Sequence, residues 1–252
     1  MVKENHKRYW EIDFIRGIAI VMMISFHAAF NLYYFADYGL DIDQIGWRIL
    51  GRSTAVFFLT LVGISLTLSY NRSKDVKSVK ELRLKYVVRG VKIFSWGLLV
   101  TLFTYIFIGE DFIIFGVLHF IGVSIILAYP LVKYRYIPLI LAFVCIISGF
   151  LISEIRVSFS WFLWLGFRPY SFSTVDYFPI LPWFGVTLIG IFLGNTFYPQ
   201  GERMTDLPDL KEFFIVRFFS TLGKNSLKIY LLHQPVLLFF LYIIGVIDIT
   251  FL

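Results

Sequence analysis

The sequence predicts an all-α polytopic membrane bundle of about seven spanning helices plus one short interfacial or re-entrant segment, in a single domain over residues 1–252. Three observations predict it. Hydrophobic residues make up 58% of the chain and charged residues only 16%, and the mean hydropathy is +0.77, far outside the balance of a water-soluble globular domain. The apolar residues fall in runs long enough to cross roughly 30 Å of hydrocarbon. Between the runs, basic residues gather on alternate connections, as a chain that crosses repeatedly requires.

Taken in order, the spans are predicted at 12–34, 48–70, 88–108, 112–132, 137–153, 178–198 and 225–247. The N-terminal MVKENHKRYW is basic like the first region of a signal peptide. The apolar run behind it is too long, is broken by Asp13 and Arg16, and ends without a small-residue cleavage site, so the segment is expected to be retained. Residues 158–167 are apolar but too short to span, and Phe159, Trp161, Phe162 and Trp164 suit the headgroup level. The single cysteine, Cys145, lies within a span, which excludes an intramolecular disulfide and points to no cysteine metal site. No metal is expected.

Orientation follows from lysine and arginine. The stretch 71–92 carries Arg72, Lys74, Lys77, Lys80, Arg83, Lys85, Arg89 and Lys92, whereas 36–47 holds three aspartates and no basic residue. The positive-inside rule puts the first stretch in the cytoplasm. Lys133 and Arg135 then fall inside, as do Arg203, Lys211, Arg217, Lys224 and Lys228. The N-terminus is expected inside and the C-terminus outside, in the cell membrane. The net charge of +6 is then mostly topological, and no nucleic-acid partner is expected.

The stretch 71–92 reads in two ways: an orientation signal attracted to anionic membrane lipid, or the mouth of a site for a polyanionic cofactor, in which Arg83, Lys85 and Arg89 meet phosphates. A second anion site is expected at LGKNSLKIY, where Gly223, Lys224, Asn225 and Ser226 look like a turn and N-cap opening the last helix.

The first span carries a polar seam. Arg16 and His27 stand eleven positions apart, close to three helical turns, so they share a face with Asp13 and Asn31. Ionisable groups in hydrocarbon cost several kcal/mol unless they face protein, water or a partner. Arg16 has the alternative of snorkelling in a pair with Asp13. His27, roughly 16 Å further along the axis, does not, and is the first candidate for chemistry. His119 in the fourth span is expected at the same depth and able to meet it. His233, followed by Gln234 and Pro235 in the last span, completes the membrane histidines and is grouped with the cofactor-side residues. Each of His119 and His233 is open to the alternative of a satisfied interhelical hydrogen bond. On the outer side, the long connection 153–177 with Arg168 and Asp176 is expected to bind substrate. Arg52 at the outer start of the second span reads as a substrate contact or a snorkelling cation. Asp176 has the alternative of a helix-dipole role.

The ordered set IDFIRGIAIVMMISFH, GRSTAVFFLTLVGISLTL, GVLHFIG, DYFPILPWFG and LGKNSLKIYLLHQP resembles the heparan-alpha-glucosaminide N-acetyltransferase catalytic-domain-like family, within the transmembrane acyltransferase superfamily. The resemblance covers nearly the whole chain. It implies transfer of an acetyl group from cytoplasmic acetyl-CoA to an acceptor on the outer side, an amino sugar or glycan, with His27 and Arg16 matching the superfamily's first-helix histidine and arginine. With it the candidate roles are catalytic for His27, His119 and Asn31; cofactor-binding for Arg16, Arg83, Lys85, Arg89, Lys224, Ser226 and His233; and substrate-binding for Arg52, Asp176 and Arg168. Direct transfer and an acetyl-histidine intermediate both stay open, as does a homodimer. The rival readings are an O-acyltransferase of a cell-surface glycan and a small-solute or proton transporter. An odd helix count and the lack of a visible inverted repeat argue against the transporter.

Overall fold

The computed structural model describes residues 8–36, 39, 42 and 44–247. The outer-loop aspartates Asp37, Asp41 and Asp43 and the basic tail before Arg8 lie outside the described residues. The helices are α1 (Trp10–Ala36), α2 (Ile45–Asn71), α3 (Val79–Ile108), α4 (Val117–Ala128), α5 (Tyr136–Ser153), α6 (Ile180–Phe197), α7 (Phe214–Lys224) and α8 (Ser226–Ile243). Of these, α1, α2, α3, α5, α6 and α8 are long and apolar enough to cross a membrane. The all-α polytopic class stands. The chain divides into two compact units, Met1–Phe58 with Leu207–Leu252, and Leu59–Asp206, the boundary falling within α2.

The first unit is built on α1, with α7 and α8 against it. Gly17 on α1 and Gly223 on α7 make the closest approach, where a methyl group on either would overlap the facing backbone of Phe219 or Asp13. Small residues permit such contact because, in lipid, helices associate by packing rather than by hydrophobic exclusion. Phe14 packs edge-on against Phe219 at 5.5 Å. The helix α7 was not foreseen from the sequence. Nor does the expected N-cap of α8 form: Asn225 turns its side chain back to donate to the Thr221 carbonyl at 3.0 Å, and α8 starts without a side-chain cap. Gly223 and Lys224 are the last residues of α7.

The second unit packs α3, α4, α5, α6 and the end of α2 around Leu66, Tyr86, Phe120, Ile125, Leu188 and Ile191. A capping box opens α3, Ser78 Oγ accepting from the Glu81 N–H while the Glu81 carboxylate accepts from the Ser78 N–H at 2.8 Å. The fourth expected span, 112–132, is shorter in the structure: α4 with the 3-10 turn Tyr129–Leu131 reaches only from Val117 to Leu131, short of the roughly 20 residues a span needs. The cause is local. Thr101 Oγ1 donates to the Ile113 carbonyl at 2.6 Å and Thr104 Oγ1 accepts from the Ile113 N–H at 3.0 Å, while the Phe112 and Phe115 carbonyls accept from Thr174 Oγ1 and the Phe178 N–H. These bonds hold 112–116 out of the helix. The segment 158–167 forms turns rather than a span, beside a short parallel pairing of Arg156–Val157 with Arg168–Pro169. Its Trp161 is 80% exposed.

Candidate functional site

The His27–Asn31 end of the α1 polar seam faces α8. His27 and His233 lie with ring centroids 4.8 Å apart, and Gln234 ties the pair to the seam: its amide nitrogen donates to His27 Nδ1 at 3.1 Å while its carbonyl oxygen accepts from Asn31 Nδ2 at 2.8 Å. Asn31 is fully buried and His233 is buried. A buried polar cluster of this kind is stable only when its members satisfy one another, and two atoms are left over. His233 Nε2 and Asn31 Oδ1 are buried with no hydrogen-bond partner among the described residues.

The partners fix the tautomers. His233 Nδ1 faces the Tyr230 carbonyl, which only accepts, so in the neutral ring Nδ1 carries the proton and Nε2 keeps a free lone pair. His27 Nδ1 accepts from Gln234, so its proton sits on Nε2. The two imidazoles therefore offer complementary functions, one a base and the other a donor.

A second cluster lies in the other unit. His119 Nδ1 accepts from the Gly116 N–H at 3.2 Å, and its Nε2 lies 3.4 Å from Thr101 Oγ1. The ring is packed between Phe94 and Phe115, at 5.0 and 5.7 Å. With both nitrogens engaged, His119 ties the start of α4 to α3. Asp176 serves the same turn, accepting from the Val117 N–H at 3.0 Å.

A family model described as heparan-alpha-glucosaminide N-acetyltransferase, catalytic, matches residues 8–235. The chain belongs to this family. It is thus a membrane acetyltransferase in general terms, and the matched stretch contains His27, Asn31, His233 and Gln234. No curated protein and no solved structure matches the chain.

The other candidate residues of this acetyltransferase are distributed over both units. Arg16 donates to Asp13 at 3.0 Å, and Arg8 lies 3.6 Å from the other oxygen of the same buried carboxylate. Lys224 lines a cavity at the start of α1, and Ser226 is the first residue of α8. Arg52 is exposed on α2, and Arg83 and Arg89 are exposed on α3. Lys85 is half-buried, its Nζ donating to Ser69 and Ser73, with 2.7 Å to Ser73 Oγ. The Arg168 guanidinium stands over the Tyr177 ring at 5.2 Å. Burial pushes the Tyr177 phenol up to about 12, so it remains a donor, to the Leu163 carbonyl at 2.7 Å. Sequence reasoning missed the direct partnership of His27 with His233 and the linking role of Gln234.

Asp176 gives a pH prediction. Burial pushes its carboxyl up to about 6, against the opposing pull of the Val117 N–H. A carboxyl raised in the folded state contributes stability that is complete below its unfolded value near 3.8 and is lost as pH rises through about 6. The protein should lose about 3 kcal/mol over that window. Asp176→Asn keeps an oxygen for the Val117 N–H and removes the titration. Thermal midpoints of the solubilised protein from pH 4 to 8 should fall with rising pH in the wild type and stay flatter in the variant.

Proposed function

We propose that this acetyltransferase takes its acetyl group from acetyl-CoA on the cytoplasmic side, where α1 begins, and delivers it to an amino sugar or amine-bearing glycan on the opposite side. The observation that carries the reading is the His27–His233 pair, with its free His233 Nε2. In this reading the acceptor nitrogen attacks the thioester carbonyl, the new C–N bond forms, and His233 Nε2 takes the proton the amine gives up. His27 Nε2–H donates to the oxygen on which charge develops. The C–S bond then breaks, and protonated His233 returns its proton to the departing CoA thiolate. Asn31 and Gln234 hold the His27 tautomer.

Arg83, Lys85 and Arg89 give the second unit a basic surface suited to phosphates, and Arg16 and Ser226 stand in the first unit with the histidine pair. Arg52, Arg168 and Asp176 are assigned to the acceptor side, where stacking of Arg168 on Tyr177 suits a sugar face, and His119 positions α4 rather than reacting.

The test is transfer from radiolabelled acetyl-CoA by the purified protein in proteoliposomes, with amine-bearing and hydroxyl-only sugars supplied on the side opposite the CoA. Label in the amine-bearing sugar is the expected outcome. Label in the hydroxyl-only sugar alone means O-acylation, and no label with solute flux means transport; either result overturns the proposal.

A further inference from the structure

The cavity at the start of α1 has a volume of about 110 Å3, room for one phosphate group or a few waters. Its walls carry four cations, Arg8, Lys211, Arg217 and Lys224, and one carboxylate, Asp13. Arg8 is already paired with Asp13 at 3.6 Å, and Lys211 with Asp209 at 3.2 Å. Arg217 and Lys224, which also line it, have no carboxylate partner among the described residues. Trp10 adds an indole N–H that is buried, lines the same cavity and has no acceptor among the described residues. Two free cations and an orphaned donor around one small hollow describe the recognition of a phosphate.

The helix that carries those cations identifies the source of that phosphate. On α7, at 100° per residue, Phe214, Ile215, Phe218 and Leu222 form one stripe. Phe214 is 80% exposed, Ile215 62% and Phe218 49%. Arg217, Thr221 and Lys224 form the adjacent stripe, and Val216, Ser220 and Gly223 form the buried third, turned to α1. An exposed phenylalanine stripe beside a phosphate-binding stripe is the arrangement of a helix lying in the membrane–water interface, and a tryptophan beside it belongs at the same level. A soluble nucleotide would account for the cations and leave the phenylalanines without a reason.

We infer that this cavity binds the phosphodiester headgroup of an anionic phospholipid, with Arg217, Lys224 and the Trp10 N–H on the phosphate and the Phe214–Phe218 stripe against its acyl chains. The inference is independent of the acetyl-transfer chemistry and of which leaflet α7 faces. The test is lipid retention by the full-length protein, exchanged into mixed phosphatidylglycerol and phosphatidylcholine vesicles, re-extracted and weighed intact by native mass spectrometry. Wild-type protein should retain phosphatidylglycerol in preference to phosphatidylcholine. Arg217→Gln with Lys224→Gln should cut that retention about tenfold or more, given the contribution of each cation at a lipid surface, and Phe214→Gln with Phe218→Gln should weaken it as well. A matched pair of changes elsewhere, Lys133→Gln with Arg135→Gln, should leave it intact. Equal retention in the Arg217/Lys224 variant overturns the inference. So does displacement of phosphatidylglycerol by millimolar inorganic phosphate or CoA, which would make the cavity a site for a soluble phosphate. Unchanged size-exclusion behaviour controls for folding, since both cations are exposed.

Discussion

Replacing His233 with alanine should slow acetyl transfer by roughly a hundredfold to ten-thousandfold, the contribution of a positioned general base, while the protein still folds. The expectation rests on one atom. His233 Nδ1 is committed to the Tyr230 carbonyl and Nε2 is buried and unpartnered, so the ring has a single nitrogen with which to accept a proton. His27→Ala removes the complementary donor and should cost a comparable factor, with the double variant little worse than either single one, because residues acting as a unit are not additive. Gln234→Leu leaves both imidazoles in place and frees the His27 tautomer; a loss on the order of tenfold, carried by kcat rather than KM, is the mark of a positioning residue. Initial rates with radiolabelled acetyl-CoA, on protein checked by size exclusion, decide all four. Full activity in His233→Ala would remove that ring from the mechanism.

The second large effect is on assembly. Gly17→Val and Gly223→Val each place side-chain carbon where the facing backbone already stands, and no rotamer relieves an overlap with main chain. Overpacking of this severity costs roughly 3 kcal/mol, and here it separates α1 from α7 altogether. Thermal melting in detergent should show a sharply lowered midpoint or no folded fraction. Gly46→Ala on α2 is the matched control: nothing lies within 4 Å of the added carbon, and alanine favours the helix by about 1 kcal/mol. A normal midpoint for Gly17→Val would mean the two helices do not meet there.

Six spans were legible because apolar length in a charge-poor chain has few other uses. The parts that were not legible depend on tertiary detail. In α4, the expected first turns from Phe112 are apolar enough for a helix; threonines on α3 and the 174–178 segment claim their backbone groups instead, a competition no local pattern reveals. The helix α7 was hidden by its cations, since Arg217 and Lys224, with Lys211 just before them, read equally well as a basic loop. Missing α7 also hid the pairing of α8 with α1. Depth from the outer side puts His27 and His119 at one level, with His233 grouped among the cofactor-side residues. Because Gly223 packs against Asp13 and Gly17, α8 begins well along α1, and the two histidines come level. Arg16, His27 and Asn31 were found correctly as one face, since helical spacing alone sets it. The choice between a reacting histidine and a capping one at His119 turns on a single N–H, that of Gly116, and spacing carries no information about it.

The two unsatisfied atoms near the histidine pair set a rule for what this membrane protein welcomes. His233 Nε2 and Asn31 Oδ1 are both electron-rich and withdrawn from water, so a guest is favoured in proportion to the hydrogens it brings. Amines and alcohols bring such hydrogens, whereas a thioester carbonyl brings none and depends on the His27 N–H for its hydrogen bond. Discrimination of that sort works before any bond is made.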